Sequence, residues 1–231
     1  LEALFTIDEE TGMTGAFELK GGLLDAHILL NLDTEEDNEL TIGCAGGVDV
    51  TAKGSYASEA VPQGVKGYRI SVKGLTGGHS GTEIHLGRGN ANKLMNRILL
   101  ENEGYGIRVS TIEGGSLRNA IPRASVASIG VPAGKVAAFT KDFEALRDTL
   151  KAEYGTTDPE LKIELAPAEL KGHVMAAKDQ GHFLRAVQAC PNGIYRMSPD
   201  VDDLVQTSNN VARIELRDGT YTVMCLTRGS V

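Results

Sequence analysis

The segment that most constrains the fold is NANKLMNRILL at 90–100, where Ala91, Leu94, Met95, Ile98 and Leu99 recur at i, i+3, i+4, i+7 and i+8. That period gathers apolar groups on one side of a helix, and a stripe of this kind has to be covered by a second layer. Asn90 stands where its side chain can cap the free amides of the first turn. A second stripe, Val136, Phe139, Phe143, Leu146 and Leu150, predicts another helix stopped near Gly155. Around these helices the period drops to two. Tyr68, Ile70 and Val72 mark one strand, Ile107 and Val109 a second, residues near Val126 a third, and Leu161, Ile163 and Leu165 a fourth. The order β, α, β, β, α, β is that of a ferredoxin-like unit, so the fold class expected is α+β, an antiparallel sheet with helices on one face. A third helix around Phe183, Leu184 and Val187 precedes a hairpin in which ARIEL meets TYTVMCL across Arg217-Asp218-Gly219, because Asp-Gly favours tight primed turns.

The first part of the chain reads differently. ALFTI and ILLNL are short, unbroken apolar runs, each ending in carboxylates: Asp8-Glu9-Glu10 after the first, Asp33 after the second. Such runs predict strands covered on both faces, as in a parallel α/β sheet, where ligand sites gather outside the carboxyl ends. Burying unpaired carboxylates costs several kcal/mol or drives them to protonate. A cation between the two clusters would resolve that conflict, with Glu9, Glu10 and Asp33 as hard oxygen ligands; a solvated acidic loop is the plain alternative. The expected division is therefore 1–47, a partial domain carrying the acidic clusters, and 48–231, a domain of alternating strands and helices.

The net charge of -8 and a pI near 5.2 argue against nonspecific binding to nucleic acid or anionic membranes, which would repel the chain. The longest apolar runs fall far short of the roughly 20 residues that a membrane-spanning helix needs. Cys44, Cys190 and Cys225 are odd in number and far apart in sequence, the pattern of reduced core thiols in a cytoplasmic protein. Several chemical motifs fail on inspection. GHSGT lacks the final glycine of a nucleophile elbow, GRGN lacks the third glycine of a dinucleotide fingerprint, and GVPAGKV lacks the spacing of a phosphate loop.

FTIDEETGMTGAF, followed by LLDAHILLNLDTEED and IGCAGG, closely resembles the aminoacyl-histidine dipeptidases, which are dinuclear zinc peptidases. The similarity continues through VKGLTGGHSGTEIHLGRGNANKLMNRIL, SLRNAIPR and VQTSNN, and so covers nearly the whole chain. The resemblance implies that Glu9 is a general base toward a metal-activated water, and that Glu10 and Asp33 are zinc ligands. It implies that 48–231 is a lid domain through which two subunits pair as a homodimer. His79 would then reach into the active site of the partner subunit and stabilise the oxyanion of the tetrahedral intermediate, Asn119 would contact the substrate backbone, and Arg228 would pair with the free carboxylate of a dipeptide. His27, His85, His173 and His182 are read as surface or structural. The family's upstream His-x-Asp pair, its bridging Asp and its last His ligand have no counterpart, and a catalytic zinc takes at least three protein ligands. The chain is therefore expected to be a fragment of a zinc dipeptidase acting on Xaa-His dipeptides, with an incomplete zinc site and no activity of its own. The alternatives are a dimerisation module without chemistry, or a related aminopeptidase or deacylase.

Overall fold

The computed structural model describes residues 1–9, 12–33, 38, 40 and 43–230. The chain divides into two units, Leu1–Cys44 and Ala45–Val231, and each is described by itself.

In the first unit the only regular element among the described residues is a helical turn, α1 (Thr14–Phe17). Asp8 and Met13 take left-handed backbone conformations, and the Asp8 carbonyl accepts from the amides of Gly12 and Met13, closing a tight loop. The strands expected at ALFTI and ILLNL do not form. Phe5 is 90% exposed and Leu30 76% exposed, with Leu4, Ile7, Ile28, Leu29 and Leu32 also open to solvent. The reason is the missing ladder. A parallel strand has to satisfy amides and carbonyls on both sides, and among the described residues of this unit neither run has a neighbouring strand to bond.

The second unit begins with β1 (Gly46–Ser55), β2 (Ser58–Ala60), β3 (Val65–Lys73) and β4 (Gly78–His79). There follow α2 (Ala91–Glu101), β5 (Arg108–Gly115), β6 (Ala120–Ile121), β7 (Ser125–Pro132), α3 (Val136–Glu153) and β8 (Lys162–Pro167). The unit ends with β9 (His173–Met175), α4 (Ala177–Ala189), β10 (Gly193–Met197), β11 (Val205–Arg217) and β12 (Thr220–Gly229). The main sheet runs β1-β12-β11-β5-β7-β3-β8, antiparallel throughout, with β10 also paired to β11. Its β5-β7-β3-β8 part has the strand order of the ferredoxin-like unit expected from the sequence. The α+β fold class is therefore the observed one.

The stripes explain the layering. Leu94, Met95, Ile98 and Leu99 of α2 and Phe139, Phe143 and Leu150 of α3 lie in one core with Ile70, Val72, Ile112, Ala127, Ile129 and Ile163 of the sheet. Each of these Val, Leu, Ile, Met and Phe side chains, fully buried, contributes about 1.5–3 kcal/mol. Asn90 caps α2 as anticipated, its Oδ1 accepting from the amides of Asn92 (3.0 Å) and Lys93 (3.2 Å). The β11–β12 turn has positive φ at both Asp218 and Gly219, as a primed hairpin requires. Lys93 Nζ crosses to α4 and donates to the carbonyls of Val187, Gln188 and Cys190. Those carbonyls end α4 and have no partner further along the helix, so the lysine caps it.

Candidate functional site

The site grows from a two-residue ladder. His79 of β4 faces Ala120 of β6, and Gly78 faces Ile121. One step on, the Ser80 amide donates to the Asn119 carbonyl at 2.7 Å. GGHSG and SLRNAIPR, far apart in sequence, are thus joined edge to edge. The loop that carries Asn119 is held from beneath by Asn210 of β11, which is 1% exposed. Its Nδ2 donates to the carbonyls of Arg118 (3.1 Å) and Ala120 (2.8 Å), and its Oδ1 accepts from Asn90 Nδ2 at 3.2 Å.

The His79 ring is oriented by its own turn. Nδ1 accepts from the amides of Gly81 (3.3 Å) and Thr82 (3.2 Å). A backbone amide only donates, so the ring nitrogen that receives it carries no proton, and the proton of the neutral imidazole sits on Nε2. The His79 amide donates to Glu83 Oε2 at 2.7 Å, and Arg88 Nη1 donates to Glu83 Oε1 at 2.7 Å and to the Gly77 carbonyl at 2.6 Å. The His79 amide first, and then Arg88, hold the Glu83 carboxyl below its ordinary value of 4.5. The turn is therefore braced by a carboxylate at neutral pH.

Arg228 of β12, held in register between Gly47 and Ser208, comes to the same turn. A Cβ built on Gly81 would lie 2.9 Å from His79 Cε1 and 3.0 Å from Arg228 Cζ, so both side chains come together over Gly81. Arg228 Nε and Ser80 Oγ are buried and find no hydrogen-bond partner among the described residues. An unmatched guanidinium N–H beside an Nε2–H donor is suited to an anionic or carbonyl group. His79, Arg228 and the Asn119 loop are thus brought together, around Gly81 and Ser80. Glu83, Arg88 and Asn210, which brace them, were not singled out from the sequence.

The carboxylates of the first unit behave differently. Glu9 and Asp33 are exposed, and Glu10 lies outside the described residues. Among the described residues there is no group of three or more His, Cys, Asp or Glu side chains that could hold a metal ion. They do not by themselves assemble the zinc site that the resemblance implies. Both expected strands being absent among the described residues, Asp8, Glu9 and Asp33 do not sit at strand ends here.

Replacing Asn210 by alanine is expected to lower stability by about 2–3 kcal/mol, because two loop carbonyls and Asn90 Nδ2 each lose a buried partner. Urea unfolding measures the loss. Hydrogen exchange of the Ser80 amide should accelerate in the same variant, since its acceptor is the loop that Asn210 holds.

The family model described as peptidase dimerisation domain matches residues 70–158, the stretch that holds most of the ferredoxin-like unit. The whole chain is 41% identical over 232 residues to the cytosol non-specific dipeptidase of Escherichia coli (strain K12), covering 100% of this chain and 48% of that protein. The crystal structure of aminoacylhistidine dipeptidase from Vibrio alginolyticus superposes with a TM-score of 0.86 at 41% identity, over 98% of this chain and 46% of that one. The similarity to an aminoacylhistidine dipeptidase agrees with what FTIDEETGMTGAF and GGHSG suggested, and the chain spans about half the length of the relatives it matches. No helix among the described residues is long and apolar enough to cross a membrane.

Proposed function

We propose that this chain is the lid and dimer-forming part of a cytoplasmic zinc-dependent dipeptidase that hydrolyses dipeptides of the Xaa-His kind. The observation that carries the reading is the convergence of His79 and Arg228 over Gly81, with Asn119 tied to the adjacent Ser80. In this reading His79 Nε2–H donates to the oxygen that becomes negative as the scissile carbonyl is attacked. Such a donor is worth more in the transition state than in the ground state, which is the requirement for accelerating the reaction. Arg228 receives the terminal carboxylate, its planar fork matching the two oxygens. Asn119 borders the same corner and contacts the substrate backbone. Zinc supplies acidification of water and polarisation of the carbonyl when bound. Glu9 as base and Glu10 and Asp33 as ligands belong to this proposal, with the ligand set completed by parts of the protein outside this chain. The names of both relatives, each a dipeptidase, support the reaction class.

The test is hydrolysis of a β-alanyl-histidine dipeptide by the full-length protein before and after chelation and zinc replenishment. Loss on chelation and recovery with zinc are expected; hydrolysis indifferent to the chelator would overturn the metallopeptidase reading. The second reading, a dimerisation module without chemistry, is favoured by the family model over residues 70–158. In that case the full-length protein would form a dimer on gel filtration and leave the dipeptide intact.

A further inference from the structure

Apart from the histidine turn, the second unit holds a pair of thiols that the peptidase reading does not use. Cys190 ends α4 and Cys225 lies in β12, yet their sulfurs are 3.8 Å apart. Of the thiols expected in the core, Cys44 is instead exposed, while Cys190 and Cys225 are free thiols packed in the core and facing each other. Both line a cavity of about 390 Å³ walled by Val50, Ala52, Phe183, Val187, Tyr221 and Val223. The cavity gives a small molecule access to sulfur that the core otherwise shields. Cys225 is 6% exposed, whereas Cys190 is half-buried.

The two sulfurs have unequal surroundings. Asn209 Nδ2 approaches Cys190 Sγ at 3.8 Å, and Lys93 Nζ donates to the Cys190 carbonyl at 2.9 Å, which brings an ammonium next to the residue. A hydrogen bond from Cys225, helped by the Lys93 charge and the Asn209 amide against burial, lowers the Cys190 thiol to about 6. The same hydrogen bond and burial raise the Cys225 thiol. Of the two sulfurs, Cys190 is therefore the readier to ionise.

We infer that Cys190 and Cys225 form an oxidisable dithiol that reduces small hydroperoxides reaching it through the cavity, closing to an intrachain disulfide. The Cys190 thiolate attacks one peroxide oxygen, the O–O bond breaks, and the departing oxygen leaves as hydroxide or alkoxide and takes up a proton. Cys190 is then a sulfenic acid. Cys225 sulfur attacks the Cys190 sulfur, the S–S bond forms, the S–O bond breaks, and hydroxide combines with the Cys225 proton as water. Two thiols lose two electrons and two protons, and the hydroperoxide gains them. Closure needs the sulfurs to approach by about 2 Å, toward the usual S–S length. The end of α4 at Cys190 is the side able to move, because Cys225 is fixed in register between Val50 and Val211.

The experiment treats the chain with equimolar hydrogen peroxide and maps its peptides without reduction. A Cys190–Cys225 cross-linked peptide, reversed by dithiothreitol, with Cys44 still open to alkylation, is expected. In Cys225→Ser the resolving thiol is gone, so Cys190 should be trapped as a sulfenic acid by dimedone, a product the parent chain does not accumulate. Should that buried replacement fail to fold, Cys190→Ser at the half-buried position serves instead, and its Cys225 should remain a free thiol under the same treatment. Oxidation confined to Cys44, or sulfinic acid at Cys190 with Cys225 still free, would overturn the inference.

Discussion

On the proposed dipeptidase reading, His79→Ala in the full-length protein is expected to lower kcat by about 10²–10³-fold, equivalent to about 2.7–4 kcal/mol of transition-state stabilisation, with little change in KM. The asymmetry follows from the tautomer. Nδ1 is engaged by the amides of Gly81 and Thr82, so Nε2–H is the one donor the ring can offer, and it strengthens only as charge develops on the substrate oxygen. The folding cost should stay below about 1 kcal/mol, because those two amides lie at a partly open turn and can turn to water. The turn itself keeps the bond from its amide at 79 to Glu83 and the β4–β6 ladder, both made by backbone at that position. His79→Gln, which retains an N–H donor at the ε position on a more flexible arm, should recover part of the rate. Steady-state kinetics on the three proteins decides the matter, and an alanine variant with unchanged kcat would remove His79 from the reaction.

What could be read in advance depended on how far a signal had to travel along the chain. The βαββαβ unit was legible because each element carries its own period: Ile70 and Val72 on one strand, Leu94 and Ile98 on one helix. β1 was not recognised, although Val48, Val50 and Ala52 alternate, because the polar residues between them do not distinguish a strand from a loop. What makes it a strand is ten residues of pairing with β12, which no local pattern announces. The first unit shows the opposite error. ALFTI and ILLNL have the composition of buried strands, but composition supplies no hydrogen-bond partners, and with no neighbouring strand among the described residues of the unit both runs stay open. In the candidate site, His79 was legible from the glycines that flank it. Glu83, Arg88 and Asn210 were not, because an ion pair at a turn and a buried amide beneath a loop declare their roles only through contacts. The Cys190–Cys225 pair lies at the same limit: a helix end and a strand 35 residues apart meet through the fold alone.

Gly115→Ala is expected to cost more than about 4 kcal/mol, or to prevent soluble folding altogether. Gly115 ends β5 with a φ of +76°, in the left-handed region that costs a residue with a Cβ about 1–2 kcal/mol. The lack of space costs more. A Cβ there would lie 1.7 Å from the Ala212 carbonyl oxygen, 2.8 Å from its carbon and 3.2 Å from Arg213 Cα. All three are backbone atoms of β11, so no side-chain rotation relieves the overlap and the strands have to separate. The place of separation is the joint between the ferredoxin-like unit and the β11–β12–β1 wing, since Gly115 pairs with Arg213 at the β11 bulge. Gly134→Ala is the control: nothing lies within 4 Å of a Cβ built there, and its effect should stay within about 0.5 kcal/mol. Urea midpoints of the two variants against the parent chain measure the difference, and a Gly115→Ala midpoint equal to the parent's would contradict the steric argument. The consequence reaches the candidate site, because Ala212 is two residues from Asn210. A displaced β11 would carry away the amide that holds the Asn119 loop, so a Gly115 variant that still folds should also show faster exchange at the Ser80 amide.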